Sequence, residues 1–320
     1  MSLLSRALIG VGAAMLTLTV APVADAASGG CAANGIVSYT PAPGTDGAFG
    51  ITQGPGGTWY AHGDTINRID NDRREEFPLP GDADAGWLTW DGSSSYIWFA
   101  DRGTGRLGTL NGRGAVHEFQ IPDGQNGPAV PQGIVVGPGS FVWFTDQVND
   151  RLGSLDTATG AIEFHSTPTA DGSPLGLTRG PDGALWFTER SGDKVGRMAA
   201  DGSFREWSLA EGSFPNRIVT GPDGAIWFTE LLGGKLGRIT MTGALTEYPI
   251  DGGPVGITVG PDGQLYVGLF FSAQVARVST AGAETATWQV PGALQVTASR
   301  DSVWASDPFS DTVSRVRTHC

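Results

Sequence analysis

The tetrapeptide Trp227-Phe228-Thr229-Glu230 recurs along this chain in recognisable variants, and the distance between copies limits the possible folds more than any other feature. Clear copies are Trp143-Phe144-Thr145-Asp146 and Trp186-Phe187-Thr188-Glu189. Weaker ones are Trp59-Tyr60-Ala61-His62, Trp98-Phe99-Ala100-Asp101, Tyr266-Val267-Gly268-Leu269 and Trp304-Ala305-Ser306-Asp307. Successive first residues lie 39, 45, 43, 41, 39 and 38 positions apart. That is the length of a four-stranded propeller blade, and no helical repeat fits these residues.

One period reads as a small antiparallel meander. Ile218-Val219-Thr220 is a β-branched strand, Gly221-Pro222-Asp223-Gly224 a turn, and Ala225 to Glu230 a second strand. Leu236 to Thr240 and Ala244 to Pro249 supply the third and fourth. The Gly-Pro-Asp-Gly turns have a mechanism, because Pro presets φ before the bend and Gly accepts a positive φ after Asp. The last repeat stops after its third strand, Thr312 to Arg317, while Gly35 to Pro41 reads as a fourth strand standing before the first repeat. The sequence therefore predicts an all-β, seven-bladed propeller whose N-terminal strand completes the last blade and removes an exposed edge.

That pairing would bring Cys31 and Cys320, the two cysteines of the chain, to the same end of one sheet. A disulfide locking the ring is expected, and loop-closure entropy for so long a loop is worth about 5 kcal/mol. The compartment agrees. Arg6, the apolar run Ala7 to Ala21 and the small-x-small site Ala24-Asp25-Ala26 form a secretory leader, too short for a membrane span. Residues 1–26 are thus expected to be removed and 27–320 to form one secreted or periplasmic, monomeric domain. A net charge of −13 repels phosphate backbones and anionic lipid, so neither nucleic acid nor a membrane is an expected partner.

One tryptophan per blade at a fixed register fills the space between sheets, so these residues read as structure before they read as a sugar-stacking site. Two rings of variable residues carry more information. The first closes the repeat: His62, Asp101, Asp146, Glu189, Glu230, Leu269 and Asp307. Carboxylates converging at the channel would need a cation, a proton or an arginine to offset their repulsion. The second ring occupies the x of a Pro-x-Gly-Ile pattern, at Phe49, Gln132, Leu175, Asn216, Val255 and Leu294, with Gly86 the candidate in the blade that lacks the pattern. Glu189, Glu230 and Asn216 make a candidate oxygen ligand set for Mg²⁺ or Ca²⁺. His62 and Asp307 are the catalytic candidates, His62 because a ring histidine can act as a base near neutral pH. Phe49, Asp101, Gln132, Asp146, Asn216, Val255 and Leu294 are expected to line a ligand-binding funnel.

The blade text GLTRGPDGALWFTERSGDKVGRM (176–198) and IVTGPDGAIWFTELLGGKLGRITMTGALTEYPI (218–250) resembles the streptogramin B, or virginiamycin B, lyase family across nearly the whole mature chain. The resemblance implies seven such blades and opening of a cyclic depsipeptide by Mg²⁺-assisted elimination. It further implies a Tyr in the first Pro-x-Gly-Ile loop, a His in that loop of each of the last two blades, a Glu just before the final His, and a Glu on the last blade's inner rim. Here the matching residues are Phe49, Val255, Leu294, Gly292 and Asp307. Elimination needs a base for the proton α to the ester carbonyl, and neither Val nor Leu is one. The first reading is accordingly a lyase-like propeller that binds a small molecule, glycan or extracellular protein at its funnel without cleaving antibiotics. The second is a divalent-metal-dependent lyase or lactonase-type hydrolase; the third is a surface-interaction propeller acting through rim loops such as Asp82–Gly86 and Pro122–Pro131.

Overall fold

A computed structural model of the chain describes residues 36–39, 47–310 and 312–318. The leader, Cys31, Cys320 and His319 lie outside the described residues. Those described form seven four-stranded antiparallel sheets. The inner strands are Ala48–Gly54, Ala85–Thr89, Pro131–Val136, Pro174–Arg179, Pro215–Thr220, Pro254–Val259 and Gln295–Ala298, numbered blades 1 to 7. Each touches the inner strand of the next blade, and blade 7 touches blade 1, so the ring is closed. Among the described residues no helix is long and apolar enough to cross a membrane.

The seam lies where the repeat ended. Ile36–Tyr39 pairs antiparallel with Thr312–Arg317, Ile36 opposite Val316 and Tyr39 opposite Val313, as the fourth strand of blade 7. Tyr39 also supplies what that blade lacks. In every other blade the repeat aromatic packs on an aromatic ring of the fourth strand: Trp59 on Phe77, Trp98 on Phe119, Trp143 on His165, Trp186 on Trp207, Trp227 on Tyr248 and Tyr266 on Trp288. In blade 7, Trp304 stacks on Tyr39 at 5.6 Å. Burying such a ring removes about 150–250 Å² from water, an upper bound of roughly 4–6 kcal/mol each.

The Asp of the Gly-Pro-Asp-Gly turn holds this stack in place. Asp223 accepts from the Trp227 indole (3.0 Å) and from Arg238 Nε (2.7 Å); Asp182 does the same with Trp186 and Arg197 in blade 4, and in blade 6 Asp262 accepts from the Tyr266 hydroxyl and Arg277 Nε. Burial alone would raise the Asp223 carboxyl, but these donors hold it below the usual range. Arg197, Arg238 and Arg277, which hold the same place in successive blades, are therefore structural.

Across from each repeat phenylalanine the third strand carries glycine: Gly108 faces Phe99, Gly153 Phe144, Gly196 Phe187 and Gly237 Phe228. Where the ring shrinks the glycine grows, giving Val267 with Ala276 and Ala305 with Ser314. A Cβ on Gly237 would overlap the Phe228 ring edge. Gly237→Ala should therefore cost about 1–3 kcal/mol by overpacking, read as a lowered urea midpoint at unchanged m-value.

Candidate ligand site at the propeller axis

In each blade the second strand runs outward from the turn and ends beside the first residue of the inner strand. Asp146 pairs with Pro131, Glu189 with Pro174 and Glu230 with Pro215, so the two predicted rings sit at one end of the propeller. Between these pairs and the next, Ile134 opposite Phe144 for instance, the inner strand bulges by one residue. The bulge turns backbone groups to neighbouring blades. Thr145, Thr188, Thr229 and Ser306 hydroxyls each donate to the next blade's second-ring carbonyl, at Leu175, Asn216, Val255 and Phe49, over 2.7–2.9 Å.

The first-ring carboxylates face their own loops. Asp101 Oδ1 accepts from the amides of Asp84 (2.8 Å), Gly103 (3.0 Å) and Thr104 (3.3 Å), and Oδ2 from the Thr104 hydroxyl. Asp146 accepts from the Val130 amide (3.0 Å), Asn149 Nδ2 (2.9 Å) and Arg151 Nε (2.8 Å). Asp307 accepts from the amides of Phe309 (2.8 Å) and Ser310 (3.3 Å) and from the Ser310 hydroxyl. His62 holds the same register in blade 1 and is buried; Leu269 takes it in blade 6.

Glu189 and Glu230 are buried too, yet neither carboxyl makes a hydrogen bond of ordinary geometry. Thr169 beside Glu189 donates instead to Glu206 (2.8 Å). Burial first, and then the Glu206 charge, push the Glu189 carboxyl up to about 7; burial and Glu247 do the same to Glu230. Each acid thus answers to the lysine and glutamate of its own blade, Lys194 with Glu206 (3.0 Å) and Lys235 with Glu247 (2.7 Å). Among the described residues no three His, Cys, Asp or Glu side chains gather where they could hold a metal ion. The Mg²⁺ that the family resemblance implies does not fit the matching positions either, since Val255, Leu294 and Gly292 offer no side-chain donor and both Asp307 oxygens are occupied.

In the second ring, Gln132 Nε2 donates to Gln147 (3.1 Å), Asn216 is buried, Phe49 lies beneath Arg102 (4.4 Å), and Leu175 and Val255 are buried apolar groups. Leu294 is half-buried, and the register fixes Gly86 as the blade 2 member. The residue after each of these decides what reaches the axis. It is Gly50, Gly133, Gly176 and Gly256 in four blades, where a Cβ would strike the adjacent inner strand's backbone. In blades 2, 5 and 7 it is Trp87, Arg217 and Gln295.

Arg217 and Trp87 belong to blades that are not neighbours, yet the guanidinium carbon lies 2.8 Å from the Trp87 ring centroid. The pair therefore spans the axis. Arg102, ion-paired to Asp84 (2.8 Å), approaches from blade 2, and Arg190 stacks on Phe214 (4.3 Å) in the loop that leads to Arg217. Burial, and then the charge of Arg102, drive the Arg217 pKa far below its usual value, and burial lowers that of Arg190. Outside this throat the loops carry exposed Val148, Leu232, Phe271 and Phe309, each two positions after the first-ring residue. A separate cleft of about 330 Å³, lined by Ile250, Leu269, Ser272, Gln274 and Glu284 among others, touches none of the axial arginines.

Sequence reasoning pointed to x in Pro-x-Gly and missed Trp87 and Arg217 one place on. The available signal was the lost glycine. The basic residue five positions after the first-ring acid, at Arg106, Arg151, Lys194 and Lys235, was equally available.

The sequence profile of the virginiamycin B lyase family matches residues 125–319. No curated protein sequence matches the chain. A solved streptogramin B lyase superposes with a TM-score of 0.80 at 30% identity, covering 88% of this chain and 97% of its own. The virginiamycin B lyase of Staphylococcus aureus does so at 0.79 and 27%, covering 88% and 98%; its catalytically inactive histidine-to-alanine form, solved with quinupristin, gives the same values. Regucalcin of Agrobacterium tumefaciens, a calcium-binding protein, shares the fold alone, at 0.57 and 20% over 72% and 89%. With its seven blades, its repeat text and its profile in agreement, this chain belongs to the virginiamycin B lyase family.

Proposed function

We propose that this protein is an exported member of the family that binds a ligand at the mouth of its central channel and does not perform the ring-opening elimination. One observation carries the reading: where the resemblance implies a tyrosine, two histidines and a glutamate, the chain has Phe49, Val255, Leu294 and Gly292, and the remaining carboxylate, Asp307, is engaged by its own loop. A general base contributes about 10²–10⁴-fold, and here no imidazole stands at either family position. Binding without turnover has a parallel in the inactive S. aureus lyase solved with quinupristin. The leader supports export, because the apolar run ends in a small-x-small site.

The test is incubation of purified protein with quinupristin and Mg²⁺, followed by mass spectrometry. The expected rate of linear product lies at least about 10³-fold below that of an authentic lyase run in parallel. Linear product with an unsaturated end at a comparable rate would refute the reading.

A further inference from the structure

We propose that the propeller axis binds a monovalent organic acid, its carboxylate held by Arg217 together with Arg102 and Trp87 and its apolar body directed toward the mouth. This deepens the funnel-binding reading and rests on it.

The argument begins with what the throat lacks. Arg217 Nε, Arg102 Nε and Trp87 Nε1 are buried and have no acceptor. All three are donors only, and neither guanidinium nor indole can accept in return. Three buried donors without an acceptor call for a ligand that only accepts, which is an ionised oxygen acid rather than an amine, an alcohol or a metal ion. The Arg217 guanidinium carbon lies over the Trp87 ring, and the planar fork of a guanidinium can take a carboxylate through two parallel N–H groups.

Pairing sets the valence. Arg102 already has Asp84 as its counter-charge at 2.8 Å, which leaves Arg217 as the guanidinium of this contact for a ligand to pair. One carboxylate pairs that guanidinium, and a chain of net charge −13 disfavours drawing in a second negative charge. The surroundings set the body. Leu175 and Val255 are buried members of the second ring, and exposed Val148, Leu232, Phe271 and Phe309 follow the first ring at the same end of the propeller. Apolar surface outside and cationic donors within suit an amphipathic acid entering carboxylate first.

Benzoate is a suitable probe, with benzamide as its neutral isostere and inorganic phosphate as the competing oxyanion, each titrated by calorimetry and by tryptophan fluorescence. Expected are saturable benzoate binding with a change in Trp emission, at least tenfold weaker binding of benzamide and phosphate, and at least tenfold loss of benzoate affinity in Arg217→Met. Arg217→Lys should keep part of the affinity and Trp87→Phe should lose a few fold. Absence of saturable benzoate binding, equal affinity for benzamide, tighter binding of phosphate, or an unaffected Arg217→Met would each overturn the proposal. Should Arg217→Met fail to fold, the benzamide comparison on the wild-type protein and Arg217→Lys decide. The quinupristin assay reads the parent proposal separately: turnover with intact benzoate binding sinks that one alone, and no turnover with no benzoate binding sinks this one alone.

Discussion

Asp146→Ala should destabilise the folded ring by about 3–5 kcal/mol, visible as a large drop in the urea midpoint. The carboxylate is completely buried and serves three donors, the Val130 amide, Asn149 and Arg151. Arg151 is itself mostly buried, stacks on Phe164 at 3.6 Å and donates to the Pro122 carbonyl at 2.7 Å. Removing Asp146 leaves that guanidinium without its counter-charge and opens a buried amide. Asp146→Asn keeps an acceptor for part of the set and loses the charge, so its cost should be about 1–3 kcal/mol. Neither change should alter benzoate affinity, because the carboxylate faces the loop of blade 3. A change in affinity without a change in stability would return Asp146 to the funnel.

What the sequence disclosed and what it hid follow from the kind of interaction involved. Blade count, strand order and the seam were legible, because they rest on period and on the truncated last repeat: Thr312–Arg317 lacked a partner and Ile36–Tyr39 had none. Local rules of alternation and turn chemistry suffice for that. The direction in which a carboxylate points is not local. Asp101, Asp146 and Asp307 share a register with Glu189 and Glu230, and one extra methylene separates acids that cap their own loops from acids that make no such bond. The Arg217–Trp87 contact was less accessible still, since it joins residues 130 positions apart that become neighbours only after the ring closes. Even so, a pattern that is glycine in four blades and Trp, Arg or Gln in three marks those three as the place where side chains replace a close backbone approach.

Stability should fall as pH rises from about 4.5 to about 7, and Glu189→Gln combined with Glu230→Gln should abolish much of that fall. Both carboxyls are pushed up to about 7 from an ordinary 4.5, burial being the larger cause and a neighbouring glutamate the smaller. Between those pH values the native state holds protons that the unfolded chain has released, so their stabilising effect is complete below the unfolded pKa and is lost on passing through the folded one. A shift of this size corresponds to about 3 kcal/mol per group, and partial solvent screening brings the pair to roughly 2–4 kcal/mol in all. The double variant should therefore melt with the wild type at pH 5 and above it at pH 8. The same melts address the metal reading. Glu189 and Glu230 lie in different blades, each beside its own lysine, so Ca²⁺ or Mg²⁺ should leave the wild-type curve at pH 8 where it is. A stabilisation by either ion that the double variant lacks would show that the two carboxylates meet around a cation after all, and that their raised pKa values are those of ligands awaiting it.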